Sequence, residues 1–465
     1  MPANRKCFFL LLLCMPLVYC AGRLGKKAAR PANEAELRAA LQAGGGIVEL
    51  PPGRLVISRD LVIPDKTVNL EIRGHPNGST LEAAGDFQGR AMLVAGAASG
   101  LLLSGFRVEG NRSRLTRPLP LPPSDVPFAG FYSNNGILLR EARKVVIRRI
   151  EFKNIANYPL LISACSNVLV EEVKIEDSGS LNSAGRNNAS GGILIEEGTT
   201  DFVVRRCLLR RVRGNGIWTH SNFRSPRNAG GVIVENEVYD AARDAIQVGH
   251  ATNVKVERNR GARIGYPVGE VDIESQAYPV ALDTAGNVDR SAYLFNRFED
   301  VNGQCIDLDG FHHGEVRGNS CLSRKPFEEY PHAHAGIVFG NTHPDVRSEQ
   351  VLVAENEVIG AGYGGIFLIG SGHRILNNRL LDLNRAECTG DPVRPRCNYA
   401  PEEPGLLRSG IYLARGAARP ARAEDNRIEG NEVGGFGMGE WCVGAAPGVS
   451  PAKNQIRDNR CQDRR

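Results

Sequence analysis

Aromatic residues make up only 6% of the 465-residue chain, with two tryptophans and four methionines. Glycine, at 53 residues, is by contrast unusually common, a balance that favours an all-β protein with many tight turns over a helical one. No CxxC spacing occurs, so no zinc module is expected and no metal site is assigned. Long hydrophobic runs are also absent after the N-terminus. The one present, CFFLLLLCMPLVY following Arg5 and Lys6, is too short for a comfortable membrane span. Extreme charge is missing too: the formal net charge is +5, which tolerates a polyanion without demanding one. With 42% hydrophobic and 23% charged residues, the remainder is ordinary for a soluble globular protein with a sizeable core.

Residues 1–22 read as an export signal, 23–31 as a basic tether and 32–465 as one folded domain. Two routes of export stay open. Leu17-Val18-Tyr19-Cys20 matches a bacterial lipoprotein box, in which Cys20 would be acylated; Tyr19 stands where a small residue is usual, which leaves ordinary cleavage. Localisation is therefore expected to be periplasmic, outer-membrane-anchored or extracellular, with a membrane contacted only through Cys20. Of the eight cysteines beyond the signal, Cys388 and Cys397 flank a Pro-rich loop and are the expected pair. Cys207, Cys321 and Cys461 sit in apolar slots and are expected as small core residues.

Asn33 to Ala43 has the pattern of a short amphipathic helix, with Asn33 as N-cap, Glu36 three residues on and glycines after it. Two short strands follow around Pro51-Pro52-Gly53, and the chain then repeats. Strands recur as GILL at Gly136, GILI at Gly192, GIWT at Gly216, AIQV at Ala245, CIDL at Cys305, GIVF at Gly336, GIFL at Gly365 and GIYL at Gly410. The unit is about 24 residues with insertions, as from Gly192 to Gly216. A second strand follows in each unit, and from the middle onward it carries an asparagine: Asn236, Asn259, Asn296, Asn319, Asn356, Asn378, Asn426 or Asn431, and Asn459. In-register asparagines can stack inside a turn, each amide bonding the one above. Units this short bury their apolar faces on one another. A single-stranded right-handed parallel β-helix with ten or more coils fits this pattern. A β-propeller would need antiparallel hairpins with two-residue turns, and few such turns are present.

The richest stretch for chemistry is Gly303 to Asn319, GQCIDLDGFHHGEVRGN. Asp307 and Asp309 alternate with Ile306 and Leu308, so both face away from the core, with Cα atoms roughly 6.5 to 7 Å apart. His312 and His313 follow. Aligning Ile193, Ile217, Ile246, Val280 and Ile306 as the first inward residues puts Glu196, His220, Gly249, Asp283 and Asp309 in one outward column, and Trp218, Gln247 and Asp307 in another. Asp283, Asp307, Asp309, His312, His220 and His250 are the candidate catalytic groups. Glu196, Trp218, Gln247 and His313 are the candidate substrate contacts, Trp218 as a sugar platform and Gln247 as a hydroxyl partner. A solvated polar face would look similar at any single one of these positions.

The helix cap, the LPPG turn and the GI-strand/Asn repeats over Ala32 to Asn459 resemble the pectin-lyase-like right-handed β-helix superfamily. That resemblance implies the fold, and a carbohydrate-active or carbohydrate-binding role; members include pectate lyases, polygalacturonases, alginate lyases, mannuronan epimerases and proteins without catalysis. Asp307-Leu308-Asp309 with Phe311-His312-His313-Gly314 is similar to polygalacturonase elements. The sequence departs from the family's patterns in having no adjacent Asp-Asp, no Asn-Thr-Asp, no Arg-x-Lys and no Asp-Pro-His-Asp. Three readings follow: hydrolysis by two carboxyls, lyase or epimerase chemistry on a uronic acid with a base such as His220, His250 or His312, and binding without turnover. A polysaccharide is the expected partner, nucleic acid is not, and a monomer is expected. No cofactor is assigned; calcium enters only with lyase chemistry.

Overall fold

The computed structural model describes residues 28–464, except 124, 274–277, 333–334, 343–345, 392–396, 398–402 and 417–418. The export signal with Cys20, most of the tether, His334 and His343 lie outside the described residues. Among those described, no helix is long and apolar enough to cross a membrane.

Helix α1 (Glu34–Gln42) starts as its sequence dictates: Asn33 Oδ1 accepts from Glu36 N at 3.0 Å, and Glu36 accepts in return from Ala32 N at 2.8 Å. Its Leu37 and Leu41 cover the first coil. From there the chain winds through parallel strands on three faces, and every pair of named strands is parallel. The GI strands form the first face, stacking from Leu61–Ile63 to Val443–Ala445. The repeat's second strand proves to be two. VIVENEVY, for example, splits into Val232–Val234 on the second face and Glu237–Ala241 on the third. The third face is a 14-stranded sheet; the first and second join in one 29-stranded sheet because Ile246–Thr252 and Val280–Asp289 run through the corner between them.

The second-to-third corner explains the split. One residue there adopts a left-handed conformation, as in Glu235 (φ 57°), Arg258 (φ 51°), Phe295 (φ 56°) and Glu355 (φ 58°), and an asparagine follows each. A left-handed bend costs a non-glycine residue roughly 1–2 kcal/mol and leaves backbone groups without ladder partners. The asparagine supplies those partners. Asn296 Nδ2 donates to Val256 O at 3.0 Å and to Asn319 Oδ1 at 2.8 Å, and Asn296 N donates to the same Oδ1 at 3.0 Å. The stack runs unbroken from Asn236 to Asn459 and passes through Asn431. Asn426 belongs to a separate corner, where it donates to Asn454.

Inside, one apolar core runs the length of the stack. Cys388–Cys397 is a disulfide, as expected, and Cys165 and Cys207 are free and buried. Cys321 and Cys461 are not free core residues: they bond to Cys305 and Cys442, each joining the first and third faces within one coil. Cys321 is buried in its slot, whereas Cys461, on the last coil, is exposed; each faces the opposite wall of its own coil.

The Pro-rich insertion after Arg112 folds over the early first face. Its one-turn helix α2 (Phe128–Phe131) packs with Tyr132 on Leu138, Leu161, Leu194 and Trp218. Glu196, fully buried, holds this roof: Oε2 accepts from Phe128 N and Oε1 from Ala129 N, both at 2.8 Å. Tyr132 Oη in turn donates to Asn188 O in the next insertion at 2.7 Å. Burial pushes the Glu196 carboxyl up to about 7, against the pull of the two N–H donors.

Two predictions follow from these contacts. Asn319→Ala removes the acceptor for two Asn296 donors and orphans Tyr293 O. At ~1–3 kcal/mol per orphaned buried group it should destabilise by roughly 2–4 kcal/mol in urea titration, and a loss under ~0.5 would contradict the ladder's role. Glu196 has its folded value raised from 4.5 to about 7, so its contribution is complete below about 4.5 and fades as pH rises through about 7. Unfolding titrations at several pH values should show stability falling over that window in wild type. Glu196→Gln should lack this component of the slope.

Candidate functional site

Pairing along the first face sets two outward columns. Ile193, Ile217, Ile246, Leu282, Ile306 and Ile337 are in register. Leu282 therefore takes the place expected for Val280, and Asp283 moves by two residues. It stands not with Asp309 but in the column Trp218, Gln247, Asp283, Asp307. The alternation Val280-Ala281-Leu282 allows either register, and the choice is made at the corner, where Val280 N donates to Asp244 Oδ1 at 3.0 Å. The other column reads Glu196, His220, Gly249, Ala285, Asp309.

The first column is wired together. Asn215 Nδ2 donates to Gln247 Oε1 at 2.5 Å, and Gln247 Nε2 donates to Asp283 Oδ2. Asp244, which the sequence reading passed over, completes the group. It occupies the corner position that Asn215 fills one coil earlier: Asp244 N donates to Asn215 Oδ1 at 3.3 Å, as Val280 N does to Asp244. Its signal was present as an acid where the repeat has Asn135 and Asn215. Arg243 lies 3.6 Å from Asp244.

Crowding these carboxyls changes their chemistry. Burial and then Asp244 and Asp307 push Asp283 well above the usual carboxylate range; burial, Asp309 and Asp244 do the same to Asp307. Burial raises Asp244 to about 6. Near neutral pH the group retains at least one proton, so it can both donate and accept. Asp283 and Gln247 are buried, whereas Asp307 is half-buried and opens the cluster to solvent. Asp309 is otherwise engaged: Thr342 N donates to Oδ1 at 2.9 Å and Thr342 Oγ1 to Oδ2.

The remaining candidates fall in other places. Glu196 is beneath the roof and cannot line a groove. Trp218, only 6% exposed, meets Phe128 edge-on at 5.1 Å, so its faces are not an open sugar platform. His220 stacks against Phe128 at 4.7 Å, and burial pushes it down to about 4, leaving it neutral. His250 sits at the bulge between Gly249 and Ala251, with φ 46° and its ring 4.8 Å from Phe223. His312 pairs across the ladder with Asp289, and the charges acting on it are Asp289, His313 and Arg227 rather than Asp283, Asp307 or Asp309; burial lowers it. His313 is exposed, 3.9 Å from Glu349. Among the described residues, no group of three or more His, Cys, Asp or Glu is arranged to hold a metal ion.

The family described as "Right handed beta helix region" matches residues 125–264. No curated protein matches the chain. Among solved structures, the surface protein and adhesin PfbA of Streptococcus pneumoniae superposes with a TM-score of 0.54 at 14% identity, over 75% of this chain and 94% of that one. A DFA-IIIase from Arthrobacter chlorophenolicus gives 0.52 at 13%, over 94% and 97%. The catalytic domain of an alpha-1,3-glucanase in complex with tetrasaccharides gives 0.52 at 13%, over 88% and 69%. At such identities the likeness is one of fold. The parallel coils and the asparagine ladder give the chain a right-handed parallel β-helix fold, and its residues 125–264 are similar to the family described as "Right handed beta helix region".

Proposed function

We propose that the protein is an exported carbohydrate-active enzyme that hydrolyses a polysaccharide on its first face, with Asp307 and Asp283 as the acid–base pair. The observation that carries this reading is the stacking of Asp283 and Asp307 on neighbouring coils beside Asp244. Parallel neighbours stand about 4.8 Å apart, close enough for each charge to suppress ionisation of the next. Asp307 is half-buried, and burial beside Asp309 and Asp244 holds its carboxyl well above the usual carboxylate range, which suits a general acid. Asp283, whose Oδ2 accepts from Gln247, is the partner with which Asp307 shares the cluster's proton. Two of the superposed proteins, the DFA-IIIase and the glucanase, are enzymes by name, which supports catalysis on this scaffold. Three disulfides support an oxidising, exported setting.

A second reading has its own support. The roof over the early coils of the face and the capture of Asp309 by Thr342 would suit a surface protein that holds a glycan without turnover, and PfbA is named an adhesin. A polysaccharide panel assayed for reducing ends and for the ultraviolet absorbance of unsaturated products separates hydrolase, lyase and neither. On the active polymer, Asp283→Asn and Asp307→Asn should each lower turnover by at least ~100-fold, with the melting temperature unchanged or raised as like-charge repulsion is relieved. Asp309→Asn should cost less than ~10-fold. Near-wild-type turnover in Asp307→Asn would remove the acid from this assignment.

A further inference from the structure

Arg243 breaks a row that otherwise carries no charge. The corner position taken by Asn215, Asp244, Val280 and Gln304 on successive coils is preceded by Gly214, Arg243, Pro279 and Gly303. A Cβ on Gly214 would come within 2.1 Å of Ala189 O, and one on Gly303 within 1.9 Å of Pro279 O, so neither of those coils has room for a side chain. Arg243 is thus the one long side chain in the row.

Its surroundings serve a guanidinium poorly. The side chain is only 15% exposed, and its Nε is shut off from solvent with no hydrogen-bond partner. Arg243 Cζ lies 5.9 Å from the centre of the Trp218 ring, and the one carboxylate in ion-pair range is the buried Asp244, whose Oδ2 is 3.6 Å from Nε. Among the described residues, no other Lys or Arg forms an ion pair with Asp244, Asp283 or Asp307. A cation so far from water is costly unless a counter-charge stands close. A protonated Asp244 would leave Arg243 without one, so the ionisation of Asp244 and the presence of Arg243 are tied together.

The other groups that face the guanidinium do not compete for this role. Tyr132 and Tyr158 lie beneath the roof, and burial pushes both phenols up, which keeps them neutral. His220, on the coil before, is pushed down by burial to about 4 and is neutral as well. Asp283, on the coil after, is held protonated by burial and by its acidic neighbours, against the pull of Arg243. Asp244 itself faces Arg243 from its own corner, Asn215 from the coil before, and Val280 N and Asp283 from the coil after.

We infer that Arg243 is the positioning residue of the acid group: its charge holds Asp244 as the ionised member, so that the proton retained by the group stays on Asp283 and Asp307. Arg243 touches no reacting atom and acts through Asp244. Its part in turnover rests on the hydrolytic reading, whereas the division of charge among the aspartates does not. The balance at Asp244 agrees with this: burial raises it, and Arg243 pulls it back to about 6. A cation this near lowers a carboxyl by about 1–3 pH units.

Carbon-13 NMR of the full-length protein, labelled at aspartate Cγ, reads the carboxyls without any substrate, and Asp244→Asn identifies the Asp244 signal by its loss. In wild type that signal should titrate with a midpoint of about 6. Arg243→Met keeps the aliphatic stem and removes the charge, and the midpoint should rise by at least ~1 pH unit. Arg243→Gln is the second charge-free variant, for use where the methionine variant does not fold, and Arg243→Lys, which keeps the charge, should bring the midpoint back towards wild type. A midpoint unmoved in the charge-free variants overturns the pairing. On a polymer that the protein hydrolyses, both limbs of the pH profile of kcat/KM should move to higher pH in Arg243→Met and return in Arg243→Lys. A lower kcat/KM with both limbs unmoved would make Arg243 a packing residue and overturn its positioning role. If no polymer is hydrolysed but the Asp244 midpoint still rises, the hydrolytic reading falls and the division of charge stands.

Discussion

The left-handed bend between the second and third faces is the constraint on which the coil geometry depends. Each bend strands backbone groups that a flat ladder would have paired, and each asparagine amide pairs them while accepting from the coil before it. Because one Oδ1 serves both a backbone and a side-chain donor, no coil can slip against its neighbour without breaking several bonds at once. The inward and outward columns of the first face inherit that registration. A one-residue slip would exchange core and surface, and the ladder forbids it.

This explains why the fold was legible and the site only partly so. Periodic glycine-isoleucine strands and recurring asparagines are local signals repeated many times, and the three faces follow from them. What the repeat does not encode is a two-residue phase shift within an alternating run. Val280 and Leu282 are interchangeable by pattern, and the register is decided by a contact from Asp244, 36 residues earlier. Asp283 was therefore identified as a candidate but placed in the wrong column. Glu196 and Trp218 do point outward, as alternation required, yet outward is not exposed. An insertion whose Phe128 and Ala129 are distant in sequence covers both. The cysteines show the same limit: Cys321 faces inward as expected, and only the coil's closure brings Cys305 to it.

The histidines were persuasive in sequence because the repeat assigns them to the middle coils. In the folded chain, His220 is paired with an aromatic roof, His250 with a bulge and His312 with Asp289, three separate settings around one rim. The bulge between Gly249 and Ala251 carries His250, at φ 46°, out of the outward column and beside Phe223.

Asp244 shows how a repeat can acquire chemistry without losing its scaffold. At that corner an asparagine needs only an acceptor for the next coil's backbone N–H, and a carboxylate supplies the same acceptor with its Oδ1. The structural bond survives the exchange from amide to acid. What changes is the other terminal atom: an oxygen stands where the amide has its donating nitrogen, and it brings a negative charge beside Asp283. Two coils later Asp307 adds another, and the column that elsewhere carries leucine, valine and phenylalanine becomes a row of acids unable to ionise together. The energetic cost of that row is borne by the stacking on either side, since the ladder and the apolar core hold the coils in register whatever their outward faces carry. An acid–base group can therefore be placed on this scaffold by substituting outward and corner positions alone, and its composition is set by which coil each substitution occupies.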